Sequence, residues 1–186
     1  MRLHITGASG AGTTTLAAAL AQELSLPHVD ADNYYWIPTS PPFKKKRSAS
    51  DRLALLREAL RSEPGFVLSG SICGWGSEIE EAFDFIVFLY LPATLRVERL
   101  RRREIERFGA ADPAFLEWAS QYDEGPSEGR SLAKHNAWLA QRACPVLRLA
   151  QDDTVATRIA QVREALPHPH ARSAAKSGVR VPKLGR

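Results

Sequence analysis

Cysteine is scarce in this sequence: Cys73 and Cys144 are the two in 186 residues. Two thiols cannot build a disulfide framework, and neither lies in a C-x-x-C or Cys/His metal-ligand spacing, so both read as small buried hydrophobes. Long apolar runs are missing as well. The longest, residues 85–91, falls far short of the ~20 residues a membrane-spanning helix requires. The glycines that follow residue 6 leave no apolar stretch for a secretory signal, which leads us to expect a cytoplasmic protein with no membrane partner. With 12 Gly, 12 Pro, 44% hydrophobic and 25% charged residues, collagen, low-complexity disorder and coiled coil are all excluded. The length suits one globular domain with a core of useful size.

The excess of positive charge is local. The net charge is +4, yet the last twenty residues hold five cations (Arg172, Lys176, Arg180, Lys183, Arg186) and no acid, leaving 20 bases against 21 acids in the rest. A near-neutral body weakens the case for a nucleic-acid surface. Residues 167–186, poor in apolar content, are expected to form a disordered basic tail behind a domain at 1–166. Two basic clusters remain within the body, at residues 44–47 and 96–107.

Strand and helix patterns alternate. Leu3 and Ile5 alternate along a strand at 2–6 that ends on Gly7, and the Ala/Leu-rich residues 13–24 then read as a helix. Residues 27–30 are a second strand candidate ending in Asp30, Ala31 and Asp32, and the proline-rich stretch 33–50 reads as irregular. A helix at 51–61, a strand at 66–68 and an apolar strand at 83–91 follow. After Pro92 an Arg-rich helix covers 93–108, with further helices at 114–121 and 129–141 on either side of Gly125-Pro126. A strand at 145–149 and a helix at 154–166 close the pattern. Five strands alternating with helices imply an α/β fold with a parallel sheet covered on both faces.

The turn between the first strand and helix carries the chemistry. Gly7-Ala8-Ser9-Gly10-Ala11-Gly12-Thr13-Thr14 fits G-x-x-x-x-G-K-[ST] everywhere except at the lysine, which is Thr13. Glycines let consecutive N–H groups converge on a phosphate, and the helix that begins there adds the positive end of its dipole. These eight residues with Thr15 are the expected nucleotide-binding set, and the Thr14 hydroxyl falls where Mg²⁺ is ligated. A dinucleotide-binding loop is the rival reading, since Asp30 lies 18 residues beyond Gly12; it fails where the third glycine would stand, at Thr15. A lysine at position 13 would supply charge-assisted hydrogen bonds that a threonine cannot. Either another cation substitutes or the protein binds nucleotide with little transfer.

Asp30 and Asp32 follow the second strand, at the sheet edge where open α/β folds bind ligands. A carboxylate there can accept the proton of an attacking hydroxyl or hold a metal-bound water, or it can cap the following turn. Arg96, Arg99, Arg103 and Arg107 recur every three or four residues as one stripe, either a solvated helix face or a phosphate clamp. Arg130 and His135 are further candidates of the clamp kind, His135 alternatively packing beside Trp138. Tyr34, Tyr35 and Trp36 either stack on a base or sugar or belong to the core, and residues 44–47 read as a solvated loop.

GASGAGTTTL at the start, the run from Asp32 to Trp36, FVLSG ending at Gly70, and FIVFLYLP before the Arg-rich helix together resemble the adenylate-kinase-like P-loop kinases, over residues 1–166. They are similar in particular to a group some members of which are labelled topology modulation proteins. The resemblance implies a P-loop NTPase fold with a five-stranded parallel sheet and a helical lid within 93–142, opened by the stripe and extending to Arg130. It implies ATP and Mg²⁺, and catalytic roles for Asp32, Asp30, Arg99, Arg103 and Arg130. Some archaeal cytidylate kinases of this kind also carry Gly-Thr-Thr. The sequence departs from adenylate kinases at Ser69, where they have Asp, and after Gly70, where their acceptor-phosphate arginine is replaced by Ser71-Ile72-Cys73-Gly74; this argues against AMP as the acceptor. The expected function is transfer of the ATP γ-phosphate to a small-molecule or nucleotide acceptor, the alternative a nucleotide-binding regulatory protein.

Overall fold

The computed structural model describes residues 1–126 and 129–167. Apart from Pro167, the basic tail expected to be disordered lies outside the described residues. Strand β1 (Arg2–Gly7) runs through the glycine loop into helix α1 (Thr13–Leu24), which ends at Ser25 in the left-handed conformation. Strand β2 (His28–Asp30) leads to a short helix α2 (Asp32–Tyr35). The proline-rich stretch, expected to be irregular, folds β3 (Trp36–Ile37) against β4 (Lys45–Lys46) as an antiparallel pair. Arg47 closes that excursion by donating through Nε to the Tyr34 carbonyl at 3.0 Å. Proline density conceals such a pair because its two strands bury no alternating face.

Helix α3 (Ala49–Arg61) starts two residues earlier than the periodicity predicts, because Ser48 caps it by accepting from the Asp51 N–H. Strand β5 (Phe66–Ser69), helix α4 (Ser77–Glu80) and strand β6 (Phe85–Leu89) follow. Helix α5 (Ala93–Phe108) stops at Gly109, which takes the left-handed conformation. Asp112 caps α6 (Pro113–Ser120) and Ser131 caps α7 (Leu132–Leu139), so α7 begins after Arg130 rather than at Gly129. Strand β7 (Val146–Leu149) and helix α8 (Val155–Ala165) complete the chain.

The main sheet has the order β2-β5-β1-β6-β7, with every neighbouring pair parallel. Strand β6 is buried along its whole length and feeds both layers, which explains its unbroken apolar sequence. Phe85, Val87 and Leu89 pack with Leu16 and Leu20 of α1 and Val162 of α8 on one face. Ile86 and Phe88 pack with Leu56, Ile72 and Trp138 on the other. Leu100, Leu116 and Ala119 join α5 to α6 in a separate small cluster. Cys73 and Cys144 are free and half-buried, more accessible than the expected core hydrophobes. The fold is thus the expected α/β arrangement, with the carboxyl ends of β1, β2 and β5 delivering the glycine loop, Asp30 and Ser69 to one edge.

Candidate active site

Two glycines of the loop are demanded by space. A Cβ on Gly7 would come within 2.3 Å of the Leu89 carbonyl oxygen, and one on Gly10, where φ is +84°, within 2.5 Å of the Arg96 carbonyl oxygen. The chain enters α1 through Gly12, which provides no side-chain cap, and the first turn holds no acidic residue. The opening N–H groups of α1 are therefore left to a ligand, and an anion suits them best. Ala8 and Ala11 are buried behind the loop, whose turn is tied by the Ala11 N–H to the Ala8 carbonyl at 3.1 Å.

Three groups gather at the mouth of the loop. The Thr14 hydroxyl donates to Asp30 Oδ2 at 3.2 Å, while Asp30 Oδ1 accepts the Asp32 backbone N–H at 3.0 Å. A hydroxyl and a carboxylate so placed suit a hard cation that brings its remaining oxygens from phosphate and water. Among the described residues no three His, Cys, Asp or Glu side chains cluster to hold a metal by themselves. The residues thus fit Mg²⁺ arriving with a nucleotide, held by Thr14 and Asp30. The walls of the cleft desolvate Asp32, which opens to solvent on one side, and hold its carboxyl above the usual carboxylate range. Arg130 opposes that shift, Asp30 adds to it and Arg103 opposes it again.

Arg130 crosses from the α7 side to the phosphate loop, where Nη2 donates to Ser9 Oγ at 3.3 Å, and its guanidinium lies 5.6 Å over the Trp118 ring. The α5 stripe does not act as one clamp. Arg96 is fully buried: its guanidinium donates to the carbonyls of Leu91 and Ala119 and pairs with Asp123 at 3.3 Å. A phosphate-facing role is overturned for Arg96, because its donors are taken by the α5–α6 packing. Arg99 pairs with Asp152 after β7. Arg103 is exposed and close enough to Asp32 to act on its charge, and Arg107 is exposed.

After β5, Tyr122 OH lies 2.6 Å from His135 Nδ1, and His135 Nε2 lies 3.0 Å from Ser71 Oγ. Burial lowers the His135 pKa to about 4, Arg130 adding to the effect, so the ring is neutral. His135 is fully buried beside Trp138 on the same helix, and with both ring nitrogens engaged by Tyr122 and Ser71 it follows the packing reading and not that of a phosphate clamp. Burial pushes the nearby Cys73 thiol up to about 11, which makes it a poor nucleophile. Arg52 of α3 is held between the rings of Tyr35, at 5.1 Å, and Trp75, at 4.8 Å, and its buried Nε has no hydrogen-bond partner. Tyr34 and Tyr35 pack, half-buried, against the core cluster of Ile72 and Trp75, and Trp36 meets Tyr35 edge to face.

Sequence reasoning did not single out Ser71, Tyr122, Arg52 or Arg158. Each is part of an unremarkable local pattern, and only contact across the fold gives it a role. Arg158 is the clearest case, reaching from α8 to the Ala11 carbonyl at 3.1 Å.

The chain is 43% identical over 174 residues to the uncharacterized protein YqaC of Bacillus subtilis, covering 88% of this chain and 96% of that one. Among solved structures it is similar to shikimate kinase from Bacteroides thetaiotaomicron, with a TM-score of 0.55 and 22% identity over 88% of this chain and 96% of that one. A gluconokinase from Sinorhizobium meliloti gives a TM-score of 0.51 and 17% identity, over 88% and 93%. Shikimate kinase from Acinetobacter baumannii in complex with shikimate gives 0.56 and 16%, over 88% and 90%. At such identities these structures establish a shared kinase-type fold. The AAA domain family AAA_18 matches residues 4–111, the segment that holds the glycine loop, Asp30 and Asp32, and the chain belongs to that family of P-loop NTPases.

Proposed function

We propose that the protein transfers the γ-phosphate of ATP to a hydroxyl of a small acceptor. The observation that carries this reading is the meeting of Thr14, Asp30, Asp32 and the Arg130–Ser9 contact at the mouth of one phosphate loop. The loop N–H groups from Gly7 to Thr15 bind the phosphates, and the Mg²⁺ that accompanies ATP, held by Thr14 and Asp30, offsets their negative charge. Asp32 receives the acceptor's hydroxyl proton on a carboxyl oxygen, and its raised pKa makes it a stronger base than a solvated aspartate. Asp30 fixes the backbone from which Asp32 projects. Arg130 and Arg103 bring guanidinium charge to the transferring group, the part otherwise taken by a lysine at position 13. Arg99, tied to Asp152, serves the nucleotide side. Helix α5 opens the lid, and α6 lies in or beside it.

The acceptor side favours a hydroxylated anion. Ser71 offers a hydrogen-bonding edge, and Arg52 makes no ion pair among the described residues, so a carboxylate or phosphate of the acceptor would find a cation there. The acceptor panel therefore begins with shikimate and gluconate, which fit that description, and with nucleoside monophosphates. ADP release from ATP and Mg²⁺, with and without each acceptor, is the test. Acceptor-dependent ADP formation is expected; ATP binding with no acceptor-dependent turnover across the panel would favour the regulatory reading that the missing lysine also permits.

A further inference from the structure

The loop has charge behind it as well as in front. Arg158 lies on α8 with 4% of its surface exposed, and a Cβ built on Gly12 would stand 3.3 Å from its Nη1. Its Nη1 donates to the Ala11 carbonyl at 3.1 Å and its Nη2 to the Gln151 carbonyl at 2.9 Å. Its Nε is buried without a partner. No carboxylate lies within ion-pair distance of it among the described residues; Asp152 and Asp153 act on it from further off, and Arg99 opposes them. A buried guanidinium with neutral partners is costly in an isolated fold, and an anion nearby removes much of that cost.

Peptide geometry supplies the second part of the argument. In a trans peptide the C=O of one residue and the N–H of the next point in opposite directions. Holding the Ala11 carbonyl toward Arg158 therefore turns the Gly12 N–H to the opposite side of the loop. We propose that Arg158 is the positioning residue of the phosphate loop and a counter-charge for the phosphates, acting from behind the loop in place of part of what a lysine at position 13 would supply. The inference rests on the reading of this loop as a nucleotide-phosphate site. It differs from the role given to Arg130, which acts at the mouth.

Calorimetric titration with ATP and with inorganic tripolyphosphate, at a temperature where every variant is folded by circular dichroism, tests it. Arg158→Met should weaken both ligands by about tenfold, the size of one lost charge-assisted contact, and Arg158→Lys by much less. Thr13→Lys should restore more affinity in the Arg158→Met background than it adds to the parent protein, because the two cations serve the same phosphates. A purely structural tether would lower the melting temperature and leave the affinities of the folded protein alone. If Arg158→Met does not fold, Arg158→Gln replaces it in the comparison with Arg158→Lys. Unchanged tripolyphosphate affinity in the uncharged variant, or strictly additive effects with Thr13→Lys, overturns the inference while leaving the kinase reading intact. Failure of the unaltered protein to bind either ligand overturns both.

Discussion

In the proposed transfer Asp32 carries the heaviest chemical demand of any single residue, because as the base it must lose its proton while desolvation by its surroundings and the Asp30 charge both favour keeping it. Its acid limb should therefore lie above the ordinary carboxylate range, with transfer lost as pH falls through the raised pKa. Asp32→Asn keeps the size and removes the charge, so ATP should still bind while transfer falls by roughly 10² to 10⁴, the usual share of a positioned base. Arg130→Met removes the strongest opposing charge, and the acid limb of kcat/KM should then move to still higher pH. A limb that stays in place in Arg130→Met would detach the two groups, and full turnover in Asp32→Asn would leave Asp32 as the opening residue of α2 and nothing more.

Helix α5 shows how one pattern at the level of an element divides into separate physical roles. Arg96, Arg99, Arg103 and Arg107 are periodic in sequence, but the helix is held against α6 on one side and open on the other. Arg96→Leu strands the carbonyls of Leu91 and Ala119 and the Asp123 carboxylate. With roughly 1–3 kcal/mol for each unsatisfied buried group, the fold should lose several kcal/mol in urea denaturation. Arg103→Ala removes an exposed side chain and should cost at most about 0.5 kcal/mol in stability, its effect being on transfer instead. Equal stability losses in the two variants would contradict this division. The helix itself was legible in the sequence, since Pro92 opens it, Gly109 ends it and the spacing of Val97 and Leu100 marks its packed side. The separate fates of its arginines were not legible, because they depend on Ala119, Asp123 and Asp152, which lie 23 to 53 residues away. The glycine loop was legible for the opposite reason, its geometry being set by residues adjacent in the chain. Arg158 meets Ala11 across 147 residues, and no local pattern announces such a contact.

The response of the whole molecule to acid follows from two histidines held neutral in its interior. His4 is fully buried on β1, with Nδ1 3.3 Å from the Leu68 carbonyl and its ring stacked at 4.8 Å on Phe83. Burial lowers its pKa to about 3, and the Leu68 carbonyl offsets only part of that. His135 is likewise buried, with its pKa lowered to about 4. Above pH 6.5 both are neutral whether the chain is folded or not, and neither contributes to the pH dependence. As pH falls below 6.5 the unfolded chain takes up protons that the folded chain refuses, so stability declines toward pH 4 for His135 and toward pH 3 for His4. Each contributes about 1.4 kcal/mol per pH unit, so at pH 5 the two together remove roughly 4 kcal/mol. That is a large fraction of the 5–15 kcal/mol typical of a folded domain, enough to shift the urea midpoint well below its value at pH 7. His135→Gln keeps a hydrogen-bonding group between Ser71 and Tyr122 while removing one of the two proton acceptors. It should therefore reduce the difference in stability between pH 7 and pH 5 by about 2 kcal/mol, whatever it does to stability at pH 7. An unchanged difference would mean that His135 is not held neutral, and the Tyr122–His135–Ser71 chain would have to be rebuilt around a charged imidazolium.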